Sequence, residues 1–267
     1  MKKLSIFAVA IAAMAFTSCG GNKSAQTAEQ TDSVKSFEQE QVEAKIKIEL
    51  DSLASELGKL KKLPVIQEGE NGIQLSDKEK QVKPDYLLDP AVAENATTLA
   101  EKYRMLSALS VDKTIAKMYE MPIEDYDVAI NKLLADINDP SFKDIEDAGT
   151  IFETSQAVYD AMNANGRINY FWQLVATSLV EELYVMTQNT EKFISSFDDE
   201  SASSITFRIV LLTDAVKRLA TYDPDLEPVA AAIEPMTKLN AISVDQLKTQ
   251  LAEAKEDIIA SRAALVK

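Results

Sequence analysis

Residues 167–188, RINYFWQLVATSLVEELYVMTQ, decide the fold class. Ile168, Phe171, Trp172, Val175, Ala176, Leu179, Leu183 and Met186 recur at the 3–4 spacing that stacks side chains on one side of an α-helix. Tyr170, Leu174 and Tyr184 fall on a second face, so the apolar arc is too wide for a helix with one solvated side. A helix of this kind is expected at the centre of a core. Asn165-Gly166 before it supplies a stop for the preceding helix, because Gly readily takes the left-handed turn that ends one.

Working outward, the same period continues in both directions. Residues 205–219 place Ile209, Leu212 and Val216 in register, and this helix is expected to join 167–188 at the heart of the core. Ser243-x-x-Gln246 has the form of a capping box and opens a last helix along Leu247, Leu251, Ala254, Ile258 and Leu265. Between these two, Pro224, Pro228 and Pro235 break an Ala-rich segment into short pieces.

Upstream, residues 33–62 read as one long helix with a phase shift. Val34, Phe37, Gln41, Ala44 and Ile48 form a first stripe, and Leu50, Leu53, Leu57 and Leu60 a second. Residues 63–89 are irregular, punctuated by Pro64, Gly69, Gly72 and Pro84, with one helical turn marked by Ser76-x-x-Glu79. Two readings of this stretch stay open, a functional loop and a plain crossover. Asp89-Pro90 and Asp139-Pro140 read as caps followed by a first-turn Pro, Ser110 as the cap of a continuation to Met121, and Pro122 as the opening of a helix carrying Ile130, Leu133, Leu134 and Ile137. Ile151, Phe152, Ser155, Tyr159 and Met162 mark the helix that Asn165-Gly166 ends. No convincing strand alternation interrupts the series, and the expected fold is an all-α multi-helix bundle spanning 33–267.

The N-terminus has a different character. Lys2 and Lys3 precede an apolar run over residues 4–16, the two-part layout of an export signal. The run is too short for the roughly 20 residues a membrane-spanning helix requires. Phe16-Thr17-Ser18-Cys19 resembles the lipobox of bacterial lipoproteins, with Phe16 where Leu is usual, and the Ser-Cys-Gly-Gly-Asn junction is most similar to lipoproteins of the Bacteroidota. The resemblance covers only these first twenty or so positions. It implies cleavage after residue 18, acyl chains such as palmitate on Cys19, and a polar tether over 19–32. With about 0.8 kcal/mol per buried methylene and two or three chains, such an anchor is effectively permanent. The expected location is the cell envelope, held at the outer membrane. No acidic run follows Cys19, which leans toward a periplasm-facing domain.

Composition restricts the chemistry. Without residues 1–18, which hold two lysines and no acid, 26 basic residues face 43 acidic ones, a formal charge of −17. That field repels phosphate backbones and argues against nucleic acid as a partner. Histidine is absent, so Ser–His–Asp and Cys–His arrangements and His-bearing zinc or iron sites cannot be built. Imelysin-like lipoproteins are helical too, but their motif includes a His. Ser110-x-x-Lys113 matches the nucleophile motif of penicillin-binding proteins, without the Ser-Asp-Asn and Lys-Thr-Gly elements that accompany it there.

The acidic groups Glu124-Asp125-x-Asp127, Asp198-Asp199-Glu200 and Asp223-x-Asp225-x-Glu227 lack the spacing and central Gly of an EF-hand. Each is expected to favour a helix start instead. Neither a cofactor nor a bound metal is expected.

Glu181-Glu182 lies within the most apolar helix. One of the two should face the interior or a groove, with Arg167, Arg208 or Arg218 as partner. Three functions follow. The first is a lipid-anchored envelope binding or structural module without catalysis, with an envelope protein as partner. The second is a carboxylate-based glycan hydrolase. The third is a solute-capturing lipoprotein with a groove at Tyr170, Trp172 and Glu181.

Overall fold

The computed structural model describes residues 37–67, 69, 72–142 and 155–266. The expected export signal, Cys19 and the expected tether lie outside the described residues, as do Ile151 and Phe152. The protein is all-α, and no strand occurs among the described residues.

Ten α-helices follow one another: α1 (Phe37–Lys59), α2 (Asp77–Lys80), α3 (Leu99–Met118), α4 (Glu124–Ile137), α5 (Ser155–Ala164), α6 (Ile168–Gln188), α7 (Thr190–Ile194), α8 (Asp199–Ala220), α9 (Glu227–Ile233) and α10 (Val244–Leu265). Short 3-10 turns at Pro64–Ile66, Pro90–Asn95, Pro140–Phe142, Pro224–Leu226 and Glu234–Lys238 link them. Every one of these turns carries a Pro at its first or second position, where a missing N–H has no helical partner to lose.

The sequence 167–188 forms the centre as its apolar width requires. α6 packs on α3, α10, α8 and α5, and its buried positions run almost continuously from Phe171 to Thr187. Phe171, Trp172 and Tyr159 of α5 meet edge to face, with ring centroids 5.0 to 6.1 Å apart. That geometry sets positive ring edges against negative faces. α8 supplies Ile205, Ile209, Leu212 and Val216 to the same core, and α10 supplies Leu247, Leu251, Ala254, Ile258 and Leu265.

Three readings of the elements need correction. Ser110 does not cap anything: α3 runs unbroken from Leu99 to Met118, and the buried Ser110 Oγ donates to the Leu106 carbonyl one turn back, 2.7 Å away. A mid-helix Ser can satisfy its hydroxyl in this way without ending the helix. The cap is Thr98, whose side chain accepts from the Glu101 N–H while the Glu101 carboxylate accepts from the Thr98 N–H. Asp89-Pro90 opens only a 3-10 turn, with Asp89 Oδ1 accepting from the Ala91 N–H at 2.9 Å. In α1 the second stripe is the one seen buried among the described side chains. Leu50, Ala54 and Leu57 pack toward α8 and α5, while Ala44 and Ile48 of the first stripe are exposed.

The irregular stretch after α1 is integral to the core. Leu63 and Val65 are fully buried, and Ile73 nearly so. The Ser76–Glu79 capping box forms as expected around α2. Farther on, the Leu88 N–H donates to Asp112 Oδ2 at 2.7 Å, and Tyr126 Oη donates to the Leu88 carbonyl at 2.8 Å, fastening the chain between α3 and α4. No helix among the described residues is long and apolar enough to cross a membrane.

Candidate functional site

Two adjacent glutamates on α6 point to different sides of the helix, since neighbouring positions are about 100° apart. Both are buried, and their surroundings differ.

Glu181 faces α3 and α10. Arg262 Nε donates to both of its carboxylate oxygens, at 2.9 and 3.0 Å, and Arg262 Nη2 lies 2.8 Å from Oε1. The same Nη2 lies 3.5 Å from Oδ2 of Asp112, which has no solvent exposure. The Arg262 guanidinium also covers the Tyr184 ring, 3.9 Å from its centroid. Burial holds the Asp112 carboxyl well above the usual carboxylate range, and the Glu181 charge beside it raises it further. Burial raises Glu181 too, against the opposing pull of Arg262. Two carboxyls and one guanidinium in this setting are closest to neutral when one proton is held between the acids. The expected pairing of Glu181 with an arginine therefore forms, but the partner is Arg262 rather than Arg167, Arg208 or Arg218.

Glu182 faces the other way, into a largely enclosed cavity of about 120 Å³ between α1, the 3-10 turn at Pro64–Ile66, α5, α6 and α8. Its walls are apolar: Leu57, Ile66, Val158, Phe171, Leu174, Val175, Leu179 and Leu212. Its polar lining consists of Ser178, Glu182, Arg208 and Lys62. Ser178 Oγ donates to Glu182 Oε1 at 2.7 Å. Arg208 Nη2 donates to the Lys61 carbonyl at 2.8 Å, while its Nε is buried without a hydrogen-bond partner. Arg208 draws the Glu182 pKa down, but burial outweighs it and pushes the carboxyl up to about 7. The opposing effect appears on Arg208, whose affinity for its proton is lowered by burial.

The three residues expected to form a groove occupy separate places. Tyr170 is half-buried and stacks on Tyr103, centroids 4.6 Å apart and planes 10° from parallel. Trp172 is completely buried in the core, and its Nε1 has no hydrogen-bond partner. Glu181 is bound by Arg262. None of the three lines the cavity, which uses Phe171, Leu174, Val175, Ser178, Leu179 and Glu182 from the same helix.

The other motifs resolve into local structure. Lys113 Nζ pairs with Asp127 Oδ1 at 2.7 Å, and Ser110 Oγ donates within its own helix. The acidic groups sit at element starts. Glu124, Asp125 and Asp127 lie in the first turn of α4, Asp198 caps α8, and Asp223 caps the 3-10 turn before α9. Asp198 also binds Lys61 at 2.6 Å, and that contact with the capping bonds holds its carboxyl far below the usual range. Among the described residues, no group of three or more His, Cys, Asp or Glu side chains is gathered as a metal site requires.

Comparison with protein-family models, with curated proteins and with solved structures gave no match for this chain.

Proposed function

We propose that this protein is a lipid-anchored binding module of the bacterial cell envelope, tethered through Cys19, that holds a small ligand and carries out no covalent chemistry on it. One observation carries the reading. The central helix borders a largely enclosed space with mostly apolar walls, lined also by a buried carboxyl and by an arginine whose Nε–H has no protein partner. Sites for small molecules have this constitution, a mostly apolar pocket with a few convergent polar groups that fix orientation.

The glycan-hydrolase alternative calls for two carboxyls flanking a cleft wide enough for a sugar and a water. The two acids brought together here, Asp112 and Glu181, are inside the bundle and clamped by Arg262, where a saccharide has no access. The reading therefore favours retention over turnover.

Three measurements test it. The Cys19→Ser chain is expected in the soluble envelope fraction and the wild type in the membrane fraction; a membrane-bound Cys19→Ser chain would show that the anchor lies elsewhere. Native mass spectrometry of the purified protein is expected to show a small molecule held non-covalently at one per chain. Release of shortened glycans from envelope polysaccharide by the purified protein would overturn the non-catalytic part.

A further inference from the structure

We infer that the α6 cavity takes a small carboxylic acid with a compact aliphatic or ring-shaped tail, its head group lodged between Glu182 and Arg208. This deepens the binding reading above and rests on it.

The size of the space limits the tail. An apolar cavity of roughly 150 Å³ lined by aliphatic and aromatic side chains accommodates benzene, and the present space of about 120 Å³ is of that order. Phe171, Leu174, Val175, Leu179 and Leu212 offer no hydrogen bond, so the part of the ligand lying against them is hydrocarbon.

The head group follows from the unmet hydrogen bonds. Arg208 Nε–H needs an acceptor, and it is buried. Glu182 has one oxygen engaged by Ser178. Arg208 and Glu182 sense each other's charge, yet no ion-pair contact joins them among the described residues. A carboxyl group completes this arrangement. One ligand oxygen accepts from Arg208 Nε–H, and the ligand and Glu182 hold one proton between them as an acid–carboxylate pair. The single negative charge left is balanced by the guanidinium, so no uncompensated charge is buried. An amine head would be repelled by Arg208. An alcohol would bridge the two groups with Glu182 ionised, giving the opposite dependence on pH.

That dependence is the sharpest consequence. The charged groups that share the lining with Glu182 are Arg208 from α8, which acts on its charge, and Lys62 from the segment after α1; α5 contributes Val158, and α1 contributes Leu57 and Gly58. With its own carboxyl titrating at about 7, uptake of a carboxylate must be accompanied by a proton once the pH exceeds that value. Affinity then falls about tenfold for each further pH unit.

The test uses the purified Cys19→Ser chain and calorimetric titration with 3-methylbutanoate, 3-methylbutanol and 3-methylbutylamine at pH 6 and pH 8. Saturable binding of the acid at pH 6, about tenfold weaker at pH 8, is expected. Glu182→Gln keeps an N–H donor toward the ligand and should bind the acid equally at both pH values. Val175→Phe fills the space and should abolish binding. Arg208→Met, read alongside it in case the larger residue upsets folding, should weaken binding by about tenfold or more, the loss of one charged hydrogen bond. No saturable binding of 3-methylbutanoate at pH 6 would overturn the inference, as would binding that is indifferent to both Val175→Phe and Arg208→Met. Tighter binding of the alcohol or the amine would also overturn it while leaving the binding module standing. A membrane-bound Cys19→Ser chain would instead count against the anchoring alone.

Discussion

Replacement of Glu182 by Gln isolates the energetic consequence of burying one carboxyl beside a cavity. In the unfolded chain this glutamate titrates near its ordinary 4.5, and in the folded protein at about 7. The folded state therefore holds the proton more tightly. Stability is fully present below about pH 4.5, declines as the pH rises, and levels off once the folded carboxyl is ionised above about 7. At about 1.4 kcal/mol for each tenfold change in proton affinity, the displacement amounts to roughly 3 kcal/mol. Gln keeps the shape and still accepts from Ser178 Oγ, but it has no charge to desolvate. Its advantage over the wild type should be below about 1 kcal/mol at pH 5 and should grow by about 2–3 kcal/mol by pH 8. Urea unfolding of both proteins at pH 5, 6, 7 and 8 measures this difference directly, and contributions from other carboxyls cancel between them. A difference that stays constant across the range would refute the placement of Glu182 in a site where burial outweighs Arg208.

Two further substitutions probe the interior and the helix ends. Arg262→Met removes the guanidinium that contacts Glu181 and Asp112, and urea unfolding at pH 7 should register a loss of about 3–5 kcal/mol, as when one partner of a buried ion pair is deleted; a loss under about 1 kcal/mol would mean the cluster is solvated. Thr98→Ala should cost about 1 kcal/mol through the lost cap of α3, whereas Ser110→Ala, which removes only a back-bond within the helix, should stay within about 0.5 kcal/mol. The reverse order in thermal unfolding would restore Ser110 as a helix boundary.

The helices were legible where one physical signal dominated. α6 announces itself because apolar residues occupy nearly its whole circumference, a pattern only a central helix tolerates. α10 and α2 announce themselves through Ser-x-x-Gln and Ser-x-x-Glu. The misread boundary in α3 has an equally definite cause. Ser and Asp both cap helices and satisfy themselves in other ways, and only the competition between neighbouring caps selects the winner. Thr98, with Glu101 returning a carboxylate to the Thr98 N–H, makes two reciprocal bonds. Asp89 makes one and starts a turn that Ala96 ends. In α1 the two apolar stripes were equally visible, and which of them would be covered depended on where α5 and α8 come to rest.

The candidate site was legible only in part, for reasons of distance and volume. Two acids in the most apolar helix flagged themselves, because an ionised carboxyl in such a setting needs compensation. The compensating arginine for Glu181 is 81 positions away, in the last helix, and nothing local in either segment names the other. The cavity is harder still, because it is the volume left over when α1, α5, α6 and α8 pack against one another, and periodicity records which residues face inward without recording whether they meet.

The contrast between the neighbouring glutamates turns this geometry into a functional argument. Glu181 accepts on both carboxylate oxygens from Arg262 Nε, so its charge is met within the protein. Glu182 receives one hydroxyl, and the guanidinium closest to matching its charge leaves its Nε–H unused. A bundle stabilised for its own sake would gain by closing that gap, either with a direct ion pair or with a leucine, since well-packed apolar residues usually serve stability as well as a buried charge pair does. A carboxyl and a guanidinium held apart at the end of an apolar space are instead what an incoming polar head group requires, and the burial that makes Glu182 costly alone is what strengthens its contact with such a group once water is excluded.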